Sequence, residues 1–461
     1  MIYNNTEQSA VMLRCAYPYG KQQTWLPTDL HKVGARLETV GIRTDVVDLN
    51  FDPLPGNLGD YDFIGIGVVG APYIPVSRKL TQDVRERTGK SPMLGGPGVE
   101  YLTPEQFNHL YGNATQVRND LDLSRAVKRM IPAVYGVSIA NRIKSMDSER
   151  LKEYLEGEFS FFVSQGCKYA CDFCAADRTR NGEKVVEKFS QAMKEDLEAI
   201  TEKAVEFGIP KLTMYITSLD LFQNPRPFRE ALEVFAEASK RYGVKYDLRG
   251  LSRVDSFLTA MEVEKELYKV IPEAGLKVVG FGVDGTTEEV WRSQHKGNKR
   301  LSEVDGAFTL CSEVGITPEA LMVMGFHDNN GVPVDNVESL RKNVDYSINR
   351  AENMGVVARP HVAKDMVPGN NGWKNPVWEK QRQQLLENPE LFRNLDFVAL
   401  ASEITHPDEE FRRHVNDAYL DIVKALTPTG HCVTSPLMPY TGDEHQDRIS
   451  ETFNMLVPFD R

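Results

Sequence analysis

Three cysteines, Cys167, Cys171 and Cys174, stand at spacings of four and three residues in the stretch Ser164-Gln-Gly-Cys-Lys-Tyr-Ala-Cys-Asp-Phe-Cys. That spacing sets three thiolates on one short loop, close enough to hold one compact inorganic centre. A closed tetrahedral zinc site takes four protein ligands, and closed iron–sulfur sites take four cysteines. Three thiolates on a four-iron cluster leave one iron without a protein ligand. An open iron can bind a substrate or a cofactor. The same residues also suit a zinc ion whose fourth ligand comes from elsewhere, with His295 or Cys311 as candidates, or three reduced thiols with no metal.

The order C-x3-C-x2-C, with Phe173 just before the last cysteine, resembles the signature of the radical S-adenosylmethionine (SAM) superfamily. The resemblance implies that Cys167, Cys171 and Cys174 hold a [4Fe-4S] cluster. In that family the open iron chelates the amino and carboxylate groups of SAM. Electron transfer cleaves SAM to methionine and a 5′-deoxyadenosyl radical, which takes a hydrogen atom from the substrate. Further stretches fit by position. Arg249-Gly-Leu-Ser-Arg253-Val-Asp resembles the third-strand segment whose polar ends contact SAM. Gly282-Val-Asp284-Gly resembles the fourth-strand turn near its methionyl group or ribose. His295-Lys296-Gly297 resembles the Asn-Lys-Gly of B12-type members, and Val367-Pro368-Gly369-Asn370 the Pro-Gly-Thr turn after the sixth strand. The usual Gly-Gly-Glu of the second strand is absent, and Tyr215, Thr217 and Ser218 lie nearest its position. The resemblance thus makes Phe173, Ser218, Arg253 and Asp284 candidates for the SAM site. By residue type alone, Arg253 and Asp284 also read as surface charges at strand ends, and His361 as a satisfied structural histidine. Met322, Met324 and Met354 read as core.

The elements that must position the loop alternate strand and helix. A strand over 158–164 delivers the loop at its carboxyl end, where β/α barrels keep their reactive groups. A helix follows over 190–207, with Ser190 as N-cap and Gly208 ending it. Then come a strand over 211–217, a helix over 228–242 and strands over 245–253 and 276–284. A helix over 287–294 and strands over 317–324 and 356–361 complete the series. These six βα-type units resemble the partial (β/α)6 barrel of the superfamily.

Ahead of the motif lies a second alternation. A strand over 10–16 runs into Tyr17-Pro-Tyr-Gly, and Leu30, Val33, Leu37 and Val40 mark a helix stopped by Gly41. Strands over 44–49 and 63–69, a helix over 74–88 closed by Gly89, a strand and turn over 92–97, a helix over 102–111 and a strand over 114–118 follow. This predicts an open parallel sheet, whose ligands sit outside the carboxyl ends of the strands. Those ends carry the turns Tyr17 to Gly20, Gly70 to Tyr73 and Gly95 to Gly98. Glycine there admits a bulky ligand to the backbone, or simply makes an ordinary turn. Such a sheet directly before the cysteine motif resembles the cobalamin-binding domain of B12-dependent radical SAM enzymes, and Leu94-Gly-Gly-Pro resembles its fourth-strand turn. The resemblance implies cobalamin over Tyr17, Gly70, Tyr73, Gly95 and Gly96. It departs at two points. No D-x-H-x-x-G motif supplies a lower cobalt ligand, and Arg118-Asn-Asp-Leu-Asp stands where many relatives carry a Gly-Glu-Gly-like turn.

The expected fold class is α/β. A Rossmann-like open parallel sheet of cobalamin-binding type covers 1–125, and a linker with a short helix over 148–155 covers 126–157. A partial (β/α)6 radical SAM barrel covers 158–372, and a helical C-terminal segment over 373–461 caps the barrel mouth. A chain of 461 residues exceeds one ordinary domain. A formal charge of −12 argues against a nucleic-acid backbone as the main partner. No apolar run approaches membrane-spanning length, and the N-terminus lacks a secretory pattern. Cys15, Cys311 and Cys432 are scattered singly, which makes no disulfide framework and points to a reducing cytoplasm. The resemblance implies a B12-dependent radical SAM enzyme, most often a methyltransferase, acting on an unactivated carbon of a small-molecule substrate. Its electrons come from a donor such as flavodoxin or ferredoxin. The competing classes are a B12-free radical SAM enzyme, a B12-dependent cyclisation or rearrangement, and a non-enzymatic metal-binding protein.

Overall fold

The computed structural model describes residues 8–19, 25–164, 166–169, 171–175, 191–297 and 300–456. Five short apolar segments form one parallel sheet: β1 (Gln8–Arg14), β2 (Ile42–Asp48), β3 (Phe63–Gly67), β4 (Met93–Gly95) and β5 (Thr115–Val117). Their spatial order is β2-β1-β3-β4-β5. β1 pairs on both sides, and its Ala10, Val11, Met12 and Leu13 are fully or almost fully buried. A run apolar on both faces suits that central position. The winding reverses between β1 and β3, and doubly wound sheets bind ligands at that switch point. The helices Thr28–Glu38, Ile74–Thr88 and Pro104–Tyr111 make the crossovers. Thr103 opens the last of these with a capping box to Gln106.

A second sheet holds six parallel strands in chain order: β6 (Glu158–Phe162), β7 (Lys211–Thr217), β8 (Lys245–Ser252), β9 (Leu276–Gly282), β10 (Thr317–Met324) and β11 (Val357–Val362). β6 and β11 do not pair with each other, so the sheet is a partial barrel with two edges. Other parts of the chain cover both. Thr28 Oγ1 donates to Ser160 O of β6 at 2.9 Å. Along β11, Ala358 N donates to His431 O at 2.7 Å, and Cys432 bridges in parallel beside it. Edge strands left bare invite association, and these contacts blunt them.

Two regions hold more than expected. Within residues 126–157 the expected short helix is present as Ser148–Glu156, and a further helix, Ala140–Ser145, precedes it. Ile143, Leu151, Tyr154 and Leu155 join the main apolar cluster of the barrel, so amphipathic spacing in a charged stretch makes docked helices. The C-terminal segment divides instead of forming one cap. Trp373, Trp378, Leu385 and Phe392 share an apolar cluster with Leu13, Ile66, Ile74 and Leu94 of the first sheet. The helix Glu409–Leu426 packs on β11 and the helix Val337–Met354. Large ring area drives the first docking, since aromatic side chains dominate burial energetics. Gly20, and Ser190 before the helix Gln191–Glu206, lie outside the described residues. Among the described residues no helix is long and apolar enough to cross a membrane.

Candidate active site

β6 ends at Phe162, and Val163 and Ser164 lead straight into the cysteine loop. The loop is gripped from several strand ends. Beyond β7, Ser164 Oγ donates to Ser218 Oγ at 2.8 Å, Gln223 Nε2 donates to Gly166 O at 3.1 Å, and Lys168 N donates to Gln223 Oε1 at 3.2 Å. Beyond β8, Tyr169 OH lies 2.7 Å from Ser256 Oγ. Beyond β9, Asp172 N donates to Gln294 O at 3.2 Å, and His295 Nδ1 lies 2.8 Å from Asp172 Oδ2. Beyond β11, Asn371 N donates to Asp172 O at 3.3 Å, while Asn370 Nδ2 reaches Phe173 O at 3.4 Å and Lys364 O at 3.0 Å. A functional loop is thus held by a rigid scaffold.

The three thiols are half-buried. Burial raises the pKa of Cys167, a backbone hydrogen bond at Tyr169 opposes this, and the charges of Asp220, Cys174 and Cys171 add to the rise. The three thiols therefore lie within electrostatic reach of one another, and cationic groups relieve such repulsion. Arg253 is one such group, with Nη1 donating to Cys171 Sγ at 3.2 Å. Its Nε and Nη2 each donate to Asp255 at 2.9 Å, and its guanidinium lies 3.8 Å from the Tyr169 ring centroid. Burial works against the charge of Arg253, but Asp255 and Cys171 shift its pKa upward overall.

Among the described residues, no group of three or more His, Cys, Asp or Glu side chains forms a ready-made metal cage. Cys311 is fully buried in the helix Leu301–Glu313, inside the barrel core, and cannot complete a zinc site at the loop. His295 Nδ1 is engaged by Asp172. Three soft thiols on one loop suit a cluster with one open iron, and the same thiols with His295 Nε2, its Nδ1 oriented by Asp172, also suit zinc.

Arg253 and Asp284 are not surface charges, at 8 % and 4 % exposed. Asp284 takes a positive φ of 52° and is paired with Lys296. Phe173 packs 5.5 Å from the Phe326 ring, with Lys296 Nζ 5.7 Å from its own centroid. Of Tyr215, Thr217 and Ser218, the side chain bonded to the loop is that of Ser218. Tyr215 lies farther back on β7, with Arg249 stacked 5.3 Å over its ring. His361 is buried, but among the described residues its Nδ1 has no partner, so it is not fully satisfied. Sequence reasoning missed Asp255, Gln223 and the Lys296 pairing. Gly297 held a usable signal for one of them: a Cβ there would overlap both Arg253 and Asp255.

At the carboxyl edge of the first sheet, the Tyr17 and Tyr73 rings meet edge to face at 6.2 Å. Tyr19 OH donates to Arg393 O at 2.5 Å, and the turn Ala71–Tyr73 packs on Pro389–Leu395. The chain's own C-terminal segment therefore covers part of this edge. The adjoining turns stay open, with Val69 49 % exposed and Gly70, Gly95 and Gly96 half-buried. A Cβ on Gly96 would sit 2.7 Å from Val68 O, and one on Gly98 2.6 Å from Gly70 O. Glycine at these two positions answers a demand of the turn itself. Gly70 alone of the three has room, with Pro72 Cδ 3.6 Å from its ideal Cβ.

Residues 161–340 match the family profile of the Radical SAM superfamily. No curated protein matches the sequence. Among solved structures, the radical SAM methyltransferase TsrM from Kitasatospora setae, with tryptophan substrate and a SAM analog bound, gives a TM-score of 0.60 at 16 % identity, over 82 % of this chain and 76 % of that one. A second TsrM structure holds cobalamin and a [4Fe-4S] cluster. The cobalamin-dependent SAM radical enzyme OxsB, with aqua-cobalamin and SAM bound, gives 0.56 at 16 % identity, over 84 % of this chain and 56 % of that one. This chain thus spans little more than half of OxsB. At such identity the shared property is the fold. Residues 161–340 thus match the model of a family whose members use a [4Fe-4S] cluster and SAM, and they follow a parallel sheet in the fold of cobalamin-dependent radical SAM enzymes.

Proposed function

We propose that this protein is a cobalamin-dependent radical SAM methyltransferase acting on an unactivated carbon of a small-molecule substrate. One observation carries the reading. Three thiols lie on the loop after the first strand of a six-stranded parallel barrel that follows a doubly wound sheet. On this reading Cys167, Cys171 and Cys174 hold the cluster. Ser218, Phe173, Arg253 and Asp284 border it, and Tyr17, Gly70, Tyr73 and Gly95 offer the edge for cobalamin. Bound there, these groups supply reductive SAM cleavage and methyl carriage, which side chains cannot provide. The protein supplies placement and dryness. Lys296 fixes Asp284, and Phe173 with Phe326 makes an apolar wall beside the last cysteine. A low-potential donor such as flavodoxin or ferredoxin delivers the electron.

Anaerobic reconstitution tests the reading. The wild type is expected to hold one four-iron cluster, to lose it in Cys171→Ala, and to retain hydroxocobalamin through desalting. With reductant and SAM it is expected to release 5′-deoxyadenosine. Zinc alone by elemental analysis, with only mononuclear metal by Mössbauer spectroscopy, sinks the proposal. A second reading, a B12-free radical SAM enzyme, is favoured by the cover that Pro389–Leu395 places on Ala71–Tyr73. Cluster-replete protein that keeps no corrin selects it.

A further inference from the structure

The position of Arg253 at the end of β8 suggests a SAM contact, yet its geometry serves another atom. Nε and Nη2 form a two-pronged bond to Asp255, and Nη1 donates to Cys171 Sγ at 3.2 Å. The guanidinium rests 3.8 Å from the Tyr169 ring centroid, and Ser256 holds the Tyr169 hydroxyl at 2.7 Å. Gly297 passes over the Arg253–Asp255 pair so closely that a Cβ would overlap both. The side chain is 9 % exposed. A guanidinium gripped on three sides cannot turn its remaining N–H groups away from the sulfur. Lysine has no such fork and would bring a charge without the direction.

We propose that Arg253 tunes the reduction potential of the cluster by donating a charge-assisted hydrogen bond to the Cys171 sulfur. This rests on the reading that Cys167, Cys171 and Cys174 hold a [4Fe-4S] cluster. Hydrogen bonds to the sulfurs and the net charge of the site set the potentials of such clusters. One added electron makes the thiolate-bound centre more negative. A fixed cation and donor then stabilise the reduced state more than the oxidised one. The potential rises, and the centre accepts an electron from a weaker donor.

The test is an EPR-monitored redox titration of reconstituted protein without SAM, so that no SAM contact enters. In Arg253→Gln the ratio of reduced to oxidised cluster at the wild-type midpoint is expected to fall about tenfold, a shift of about 59 mV to more negative potential for one electron. Arg253→Lys is expected to shift the same way by less. Arg226→Gln removes an arginine whose side chain is 78 % exposed, and should leave the midpoint in place. An unchanged or raised midpoint in cluster-replete Arg253→Gln overturns the inference. If that variant assembles no cluster, the lysine variant decides by the same criterion. Wild-type protein carrying 15N-arginine should also show hyperfine coupling of a guanidinium nitrogen to the reduced cluster, and its absence overturns the inference without any variant. Wild-type protein that assembles no four-iron cluster refutes the underlying reading instead, so the two failures are distinguishable.

Discussion

Lys364 lies buried just past the end of β11 and donates to Ala399 O at 2.9 Å. Burial pulls its pKa down to about 7, against the opposing charges of Asp396 and Asp365. A lysine depressed in this way binds fewer protons in the fold than in the unfolded chain. Its contribution to stability is therefore present above the unfolded pKa and is lost as pH falls through the folded one. Asp396, raised by burial to about 6, has the opposite sign and loses its contribution as pH rises through that value. Between about pH 10 and about pH 7 Asp396 no longer contributes, and comparison with a Lys364 variant cancels the buried thiols that also titrate there. Urea unfolding of the wild type and of Lys364→Met is expected to show the wild type losing ground to the variant as pH drops across that interval. A difference that does not change with pH contradicts the assignment.

The helix Thr28–Glu38 serves the first sheet and the helix Gln191–Glu206 serves the barrel, and one buried ion pair pins them together. Lys32 pairs with Asp196 and donates to Val137 O at 3.0 Å, while Asp196 accepts Ser138 Oγ at 2.8 Å and Ile139 N at 2.6 Å. Removing one partner leaves a buried charge alone, so Lys32→Met is expected to cost about 3–5 kcal/mol by chemical denaturation. Adding Asp196→Leu should recover much of that, and simple additivity of the two losses contradicts the pairing. Such contacts join distant segments and leave no local trace. Local runs do leave one. The expected bounds 211–217, 317–324 and 74–88 match β7, β10 and the helix Ile74–Thr88 to the residue, because apolar period and flanking breakers are encoded nearby. The helix Leu267–Ala274 was illegible because Pro272 stands inside it, and proline ordinarily argues against a helix interior. The same divide runs through the site. The three cysteines declare themselves by spacing, whereas the Arg253–Cys171 bond spans 82 residues and appears only once β8 lies near the loop.

Across the whole molecule, the first sheet and the C-terminal segment share one apolar cluster. Phe392 is fully buried there, with its ring 6.3 Å from that of Trp373. Phe392→Ala is expected to cost about 3–5 kcal/mol of unfolding free energy. Hydrogen exchange should rise in the first sheet and in 373–404 together, and a rise confined to the C-terminal segment contradicts a shared core. The turn after β11 ties these parts to the cysteine loop. A Cβ on Gly369 would lie 2.6 Å from Tyr101 Cδ2 and 3.1 Å from Ala175 O, next to Cys174. The turn is wedged between the first sheet's side of the molecule and the loop. A side chain at position 369 would therefore press at once on the Tyr101 ring and on the backbone beside Cys174, so a single exchange there strains both ends of the contact.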